Sequence, residues 1–294
     1  MRSLVTGASG HLGSYLTRLL VERGEDVTIL VRESSDLWRL DGVLDKVRVI
    51  RGLATAEVQR AAPEVVFHLA WSGITGDTRD RPENLIDNVV GSLQLFRIVK
   101  DAGCACWVGI GSQAEYGPQT EQLSEEMTPR PNTSYGIAKL CLGQMLATLC
   151  DQGGMRFVWL RLLATYGPKD DPRHLIPSVI GKLLAGERPS LTAGDQPWDY
   201  LYVEDAAECI YRAAVTPAVE GVYNLGSGHA ETVRHIVELL RDMIDPGLPL
   251  GFGEIPGGQG RLQGDVTKIR RATGWSPQTD LETGLRRSLD WHKR

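Results

Sequence analysis

A short apolar strand that runs directly into a glycine-rich turn is the feature that most constrains the fold of this chain. Leu4 and Val5 precede a turn that contains Gly7, Gly10 and Gly13. Gly7 permits a sharp turn, Gly10 leaves the backbone open to a pyrophosphate, and Gly13 lets the next helix pack tightly on the strand. The amino end of that helix would present free N–H groups to phosphate oxygens. The turn therefore predicts a dinucleotide site, although its three-and-three glycine spacing differs from the commonest fingerprint.

The residues after the turn have the periodicity of a helix followed by a strand. Apolar residues between Leu12 and Leu20 fall on one helical face, and Gly24 is suited to end that helix. The apolar run 27–31 is typical of a buried strand. The sequence therefore predicts a βαβ unit at the start of the chain.

Composition limits the class of protein. The chain has 294 residues, of which 42% are hydrophobic and 23% charged, as in a globular protein of one large or two modest domains. A formal net charge of −5 argues against nucleic acid and anionic membranes as partners. The first strand leaves no room for a signal peptide, and no apolar run reaches transmembrane length, so we expect a cytoplasmic protein.

The five cysteines predict reduced thiols rather than a metal site or disulfides. Cys104 and Cys106 are separated by one residue and have no matching second pair, so no metal ligand is expected. Cys106 and Cys141 lie in apolar segments, and we expect both in the core. A reducing cytosol is consistent with this pattern.

Strands and helices alternate through the first half of the chain. Further strands are predicted at 46–50, 65–69, 105–110 and 157–162, and helices at 83–100 and 135–149. Ile86 and Val90 are expected on the buried side of the first of these helices, and the second is apolar enough to be wholly buried. The alternation predicts an α/β fold, a doubly wound parallel sheet of the Rossmann type.

The composition changes after Leu163, where glycine and proline become frequent. We predict a dinucleotide-binding domain at 1–165, with returns at about 200–245, and a smaller C-terminal substrate lobe at 166–199 and 246–294. A cleft between two lobes is a usual position for a ligand.

Three polar side chains form a candidate reaction centre. Tyr135 and Lys139 are four residues apart on a predicted helix and therefore share a face. A neighbouring ammonium group lowers the pKa of a phenol, which can then exchange a proton near neutral pH. Ser112 follows the fifth predicted strand, and ligands of doubly wound sheets lie beyond the carboxyl ends of the strands. We expect Ser112 to hydrogen-bond the reacting oxygen.

Together these motifs resemble the extended short-chain dehydrogenase/reductase family, in its nucleotide-sugar epimerase, reductase and dehydratase branch. The resemblance continues over almost the whole chain, through 68–70, 88, 116–117, 166–168, 202–206, 223–228, 261–265 and 274–277. It implies that Tyr135 is the acid/base, that Lys139 tunes it and holds the nicotinamide ribose, and that Ser112 positions the sugar oxygen. Arg261 would bind the diphosphate of a nucleotide sugar.

Two sets of binding residues are expected, and the resemblance implies a homodimer. The coenzyme set is Gly7, Ser9, Gly10, His11, Leu12, Gly13, Arg32, Leu69, Ala70, Asn88, Tyr135 and Lys139. The substrate set is Trp71, Ser112, Gln113, Trp198 and Arg261. The dimer would form through a four-helix contact that uses the helices at 83–100 and 135–149 of both copies.

One departure from the family pattern concerns the coenzyme. Arg32 stands at the tip of the second strand, where an acid would accept hydrogen bonds from the adenosine ribose of NAD. An arginine there can pair with the additional phosphate of NADP. NADP(H) is therefore favoured, and Glu33 at the next position leaves NAD(H) open.

Other departures concern the reaction and the substrate. Gln113 and Ala114 replace the Asp-Glu pair of the dehydratases, so the groups that elimination of water needs are missing. Ala164 and Trp198 replace two usual anchors of the sugar nucleotide, an asparagine and an arginine. The leading hypothesis is an NAD(P)H-dependent 4-ketoreductase of a nucleotide-linked 4-keto-6-deoxy sugar. A nucleotide-sugar 4-epimerase with retained NAD, a reductase of a ketone without a nucleotide, and a non-catalytic dinucleotide sensor remain alternatives.

Overall fold

A parallel sheet forms the centre of the structure, a computed structural model that describes residues 1–73, 78–258 and 260–294. The strands are β1 (Arg2–Thr6), β2 (Asp26–Val31), β3 (Arg48–Arg51), β4 (Val65–His68), β5 (Cys106–Ser112), β6 (Arg156–Leu162), β7 (Ala164–Tyr166), β8 (Pro197–Trp198), β9 (Tyr200–Tyr202), β10 (Gly221–Leu225) and β11 (Glu231–Thr232). Seven of them pair in the order β10-β6-β5-β4-β1-β2-β3, all parallel. The predicted doubly wound sheet is confirmed, because the chain leaves its centre first towards β3 and then towards β10.

Helices cover both faces of this sheet. They are α1 (His11–Glu22), α2 (Thr55–Ala61), α3 (Pro82–Asp101), α4 (Ser134–Gly153), α5 (Leu175–Leu184), α6 (Val203–Val215), α7 (Val233–Ile244), α8 (Thr267–Thr273) and α9 (Leu281–His292). α1 and α6 pack together on one face, and α3 and α4 on the other. Every residue of β4 and β5 is consequently buried, which explains their continuous apolar runs. Among the described helices, none combines the length and hydropathy needed to cross a bilayer.

A third hydrophobic cluster lies beyond the carboxyl edge of the sheet and joins α5, α7 and α9. Ile180, Leu240 and Leu285 are fully buried within it. β7 pairs with β9 and β8 with β11 beside this cluster. The division of the chain into a dinucleotide-binding domain and a substrate lobe stays a prediction.

A buried carboxylate fastens the loops of this region to one another. Asp199 is fully buried and accepts hydrogen bonds from the N–H groups of Ser227 at 2.7 Å, Gly228 at 3.0 Å and Gly264 at 3.3 Å. It also accepts one from the Ser227 hydroxyl at 2.6 Å. These bonds satisfy a charge that would otherwise be costly to bury, and they hold 226–228 against 264.

Two expectations about α3 and α4 are wrong. Ile86 and Val90, expected on the buried side of α3, are 61% and 45% exposed, because α3 buries its side chains against the rest of the protein only from Ser92 onwards. α4 is not wholly buried, since the described protein covers only one of its apolar faces and Ile137 is 54% exposed. Cys141 lies on the uncovered face and is an exposed thiol rather than a core residue.

His68 joins β4 to its neighbours through both ring nitrogens. Its Nδ1 lies 2.9 Å from Thr6 Oγ1, and its Nε2 lies 2.8 Å from Ser92 Oγ. The Ser92 hydroxyl donates to the Asn88 carbonyl at 2.6 Å, so Nε2–H must donate to Ser92 and Nδ1 must accept from Thr6. Both nitrogens are therefore satisfied in the neutral ring. Burial, with a smaller effect from Lys139, lowers the pKa of His68 to about 3.

We predict that Gly13→Ala destabilises the protein. A Cβ at Gly13 would lie 2.1 Å from the Gly7 carbonyl oxygen, so α1 would have to move away from the turn. The free energy of unfolding should fall by about 2 kcal/mol in chemical denaturation. Gly181→Ala is the control: Gly181 lies exposed inside α5, and apart from the backbone of its own helix no atom lies within 4 Å of its added Cβ, so this variant should gain up to about 1 kcal/mol. Unchanged stability of Gly13→Ala would contradict the tight packing of α1 on the turn.

His68 should make the protein less stable as the pH falls. Below its usual pKa of 6.5 the unfolded chain takes up a proton that the folded ring, with a pKa of about 3, does not accept. The contribution of the neutral ring to the free energy of unfolding is therefore fully present above pH 6.5. It is lost between about pH 6.5 and pH 3, by up to about 1.4 kcal/mol per pH unit. In His68→Gln, the slope of unfolding free energy against pH should fall by about that amount. The exposed control His235→Gln should keep the slope, and an unaltered slope in His68→Gln would refute the neutral ring.

Candidate functional site

A cleft of about 580 Å³ opens at the carboxyl ends of the central strands. All the predicted site residues except two line it, namely Gly7, Ser9, Gly10, His11, Leu12, Gly13, Arg32, Leu69, Ala70, Trp71, Asn88, Ser112, Gln113, Tyr135 and Lys139. Trp198 and Arg261 instead line a neighbouring cavity of about 280 Å³, and Gln113 lines both. The structure thus brings the predicted residues together in two adjoining spaces, while their individual roles stay predictions.

The glycine-rich turn has the shape that a pyrophosphate requires. Gly7 has a φ of +72°, and a Cβ there would lie 2.7 Å from the carbonyl carbon of Leu69, so only glycine fits. The Gly10 N–H donates to the Gly7 carbonyl at 2.9 Å and closes the turn. α1 then begins at His11 with no side-chain cap and no acid in its first turn. Its N–H groups and the positive end of its dipole are therefore available to an anion in the cleft.

His11 and His174 share a carboxylate that could not be identified from the sequence. Asp170 Oδ1 lies 3.2 Å from His11 Nδ1 and 2.9 Å from His174 Nδ1. Burial lowers the pKa of His11 to about 4, whereas the hydrogen bond to Asp170 raises the pKa of His174. His11 is consequently neutral at physiological pH and forms part of the cleft wall beside the turn.

Lys139 joins α4 to the end of β5. Its ammonium donates to the Ile110 carbonyl at 2.9 Å, and the side chain is almost fully buried. The ammonium nitrogen also lies 3.9 Å from the centre of the Trp71 ring. Burial lowers the pKa of Lys139 to about 7, although the negative charge of Glu115 opposes this change. An ammonium has three donors, so Lys139 can still donate to a bound ribose.

Tyr135 lies between an aromatic ring and a cation. The Trp71 ring meets it edge-on, with the ring centres 5.8 Å apart, and Arg79 Cζ lies 4.2 Å from the centre of the phenol ring. Burial raises the pKa of Tyr135 above its usual value, and a hydrogen bond with Ser112 and the charge of Arg79 offset only part of this rise. The hydroxyls of Ser112 and Tyr135 therefore act on the same part of the cleft. Arg79 was not predicted from the sequence.

The main chain of Ser112 is held by a buried carboxylate, that of Glu115. The Ser112 N–H donates to Glu115 Oε1 at 2.8 Å, and the same oxygen accepts from the Trp159 indole at 3.0 Å. The other oxygen of Glu115 accepts from Arg161 Nε at 2.8 Å, and Glu115 is fully buried. Glu115 was not predicted from the sequence either. The signals that indicate it are the Ser-x-x-Glu spacing of a capping box and an arginine in a buried strand, which requires a counterion.

Comparisons with known proteins agree with this geometry. The sequence matches the model of the NAD dependent epimerase/dehydratase family over residues 3–226. It is 28% identical over 309 residues to a UDP-glucose 4-epimerase from Corynebacterium glutamicum, covering 96% of this chain and 93% of that protein. A dTDP-glucose 4,6-dehydratase from Neisseria meningitidis serogroup B is also 28% identical, over 98% of this chain and 92% of that protein.

A solved structure extends the likeness to three dimensions. The UDP-glucose 4-epimerase of Thermus thermophilus, solved in complex with NAD, superimposes with a TM-score of 0.87 at 26% identity, covering 100% of this chain and 99% of that one. The family model spans most of the chain, and the relatives align along nearly their full length. The chain therefore belongs to the NAD dependent epimerase/dehydratase family and is an enzyme of the extended short-chain dehydrogenase/reductase type.

Proposed function

We propose that the protein is a nucleotide-sugar 4-epimerase, which inverts the configuration at carbon 4 of a sugar carried on a nucleoside diphosphate. The observation that carries the proposal is the convergence of Ser112, Tyr135 and Lys139 in the cleft that contains the glycine-rich turn. The relatives named UDP-glucose 4-epimerase support the substrate class. Family membership and the complete set of reacting side chains argue against a non-catalytic sensor.

The cleft suits a dinucleotide coenzyme. The turn around Gly10 and the uncapped start of α1 would hold its pyrophosphate, and Lys139 would hold its nicotinamide ribose. When bound, NAD supplies the acceptor and donor of hydride. The 280 Å³ cavity beside the cleft would hold the nucleotide diphosphate, since Arg261 lines it and no described residue of its lining carries a carboxylate.

The protein's own groups perform the proton transfer. Ser112 Oγ would hold the sugar oxygen at carbon 4, and Tyr135 Oη would take its proton and later return one. Lys139, one helical turn after Tyr135, would favour the phenolate when it carries its charge, because opposite charges stabilise each other in a buried site. Gln113 and Ala114 carry no ionisable group, so the site lacks the acid and base expected of a dehydratase. Epimerisation needs the proton and hydride transfers at carbon 4 and rotation of the keto sugar between them, so that hydride would return to the opposite face.

Incubation of the protein and NAD with UDP-glucose, or with dTDP-glucose, should yield the C4 epimer in NMR spectra, with no net change in coenzyme. Tyr135→Phe should lower kcat by about 10²–10⁴-fold, because it removes the acid/base. The control Tyr211→Phe removes a phenol that binds Glu25 outside the cleft, and it should keep full activity. An equally active Tyr135→Phe would contradict the proposal.

A second candidate, the 4-ketoreductase that uses NADPH, rests on the end of β2. Arg32 lines the cleft there with Ser35, and its Nη1 lies 3.5 Å from Ser72 Oγ. Glu33, which left NAD open in the sequence, does not line the cleft. Its carboxylate faces Gly52, where an added Cβ would lie 3.0 Å from Oε1. Arg32 thus lines this end of the cleft while the carboxylate of Glu33 does not, which favours the additional phosphate of NADP. Relatives with bound NAD favour the epimerase instead.

Coenzyme affinity separates the two candidates. If Arg32 binds the phosphate of NADP, the protein should prefer NADP⁺ to NAD⁺, and Arg32→Gln should weaken NADP⁺ by about tenfold while leaving NAD⁺ unchanged. Titration of both coenzymes by calorimetry measures this. Preferential binding of NAD⁺ would eliminate the NADP role of Arg32, and net oxidation of NADPH by a 4-keto-6-deoxy nucleotide sugar would favour the ketoreductase.

A homodimer and a cytoplasmic location complete the proposal. Ile86 and Val90 on α3, and Ile137 and Met145 on α4, are apolar and 40% or more exposed. Two copies that pair α3 and α4 as a four-helix contact would cover these side chains. The free thiols of the described cysteines suit a reducing cytosol.

A further inference from the structure

Arg79 occupies an unusual position relative to the reaction centre. Its guanidinium lies over the face of the Tyr135 ring, with Cζ 4.2 Å from the ring centre. It lines both the coenzyme cleft and the neighbouring cavity, so it stands where the two spaces meet. Its Nε is buried and has no hydrogen-bond partner within the described residues. A cation placed in this way is electrostatically coupled to the phenol.

A hydrogen bond fixes the segment that carries Arg79 to the helix that carries Tyr135. The Asp80 carboxylate accepts the Tyr135 N–H at 2.8 Å, in the first turn of α4. Because Asp80 follows Arg79 directly, this bond holds the segment that carries the guanidinium close to the helix that carries the phenol. The Trp71 ring also meets the phenol edge-on, with the ring centres 5.8 Å apart. The segment that carries the cation is therefore held at the start of α4 by the Asp80 side chain.

The other charged groups around Tyr135 leave a role for a second cation. Lys139, on the same helix, is committed to the Ile110 carbonyl and lies against the Trp71 ring. Glu115, at the end of β5, acts against a phenolate, and its own counterion is Arg161. Burial also disfavours the ionised phenol. Arg79 opposes both effects from the side that faces the substrate cavity.

We propose that Arg79 is a positioning residue that stabilises the phenolate form of Tyr135 and so acts beside Lys139 as a second cationic group. The inference rests on the proposed role of Tyr135 as acid/base. Arg79 takes no part in binding the reacting sugar carbon, and its effect passes through the phenol. Loss of its charge should therefore alter proton transfer more than substrate affinity.

Ionisation of Tyr135 can be followed without any substrate. Protein labelled with ¹³C at tyrosine Cζ is titrated by NMR up to about pH 11, because burial raises the pKa of Tyr135 above its usual value, and Tyr135→Phe identifies the signal. In Arg79→Gln the phenolate fraction at a given pH below the midpoint should fall roughly tenfold, whereas Arg79→Lys should restore most of it. Arg48→Gln, which removes an exposed charge from β3, is the matched control and should leave the titration unchanged.

Kinetics then connect the titration to the reaction. In Arg79→Gln the basic group in the pH profile of kcat/KM should move to higher pH by the same amount as the NMR midpoint, with KM changed less than about twofold. A tyrosine signal that titrates identically in wild type and Arg79→Gln would overturn the inference. A large rise in KM with an unchanged titration would also overturn it, because Arg79 would then bind the substrate.

Because the titration needs no turnover, failure of this inference is distinct from failure of the proposed function. A protein without epimerase activity but with the expected shift would refute the proposed reaction and keep the coupling of Arg79 to Tyr135. An active epimerase with an unchanged titration would keep the proposed reaction and refute the coupling of Arg79 to Tyr135.

Discussion

The reaction centre depends on one buried hydrogen bond, from the Lys139 ammonium to the Ile110 carbonyl at 2.9 Å. This bond fixes the first turns of α4 to the last residues of β5. Tyr135 lies one helical turn before Lys139, and Ser112 lies two residues after Ile110. The contact therefore helps to set the position of the phenol relative to the hydroxyl, together with the bonds from Tyr135 N–H to Asp80 and from Ser112 N–H to Glu115. Burial lowers the pKa of this lysine to about 7, and the bond to Ile110 compensates its side-chain nitrogen for lost water.

Beneath this bond, the carboxylate of Glu115 organises the end of β5. It receives the Ser112 N–H, the Trp159 indole and the Arg161 guanidinium, so each of its oxygens is satisfied. A buried ion pair of this kind contributes little net stability, but loss of one partner is costly because the other charge stays buried. Its main consequence here is to hold the Ser112 backbone in a fixed position under the cleft.

The sequence was informative wherever a local pattern determined the structure. The glycine-rich turn, the alternating elements and the four-residue spacing of Tyr135 and Lys139 sufficed to predict the sheet and part of the lining of the cleft. Contacts between distant segments left no such signal: Asp170 meets His11 from the opposite half of the chain, and Arg79 reaches Tyr135 from a loop without periodicity. The exposed face of α4 was mispredicted, because apolar periodicity marks a face to be covered without revealing whether the same chain covers it.

A crystal structure of the protein with NAD and a nucleotide sugar tests the central claim most directly. We expect the sugar oxygen at carbon 4 to lie within hydrogen-bonding distance of both Ser112 Oγ and Tyr135 Oη, with the pyrophosphate of the coenzyme on the turn around Gly10. A coenzyme bound away from that turn, or a sugar whose carbon 4 oxygen contacts neither hydroxyl, would contradict it.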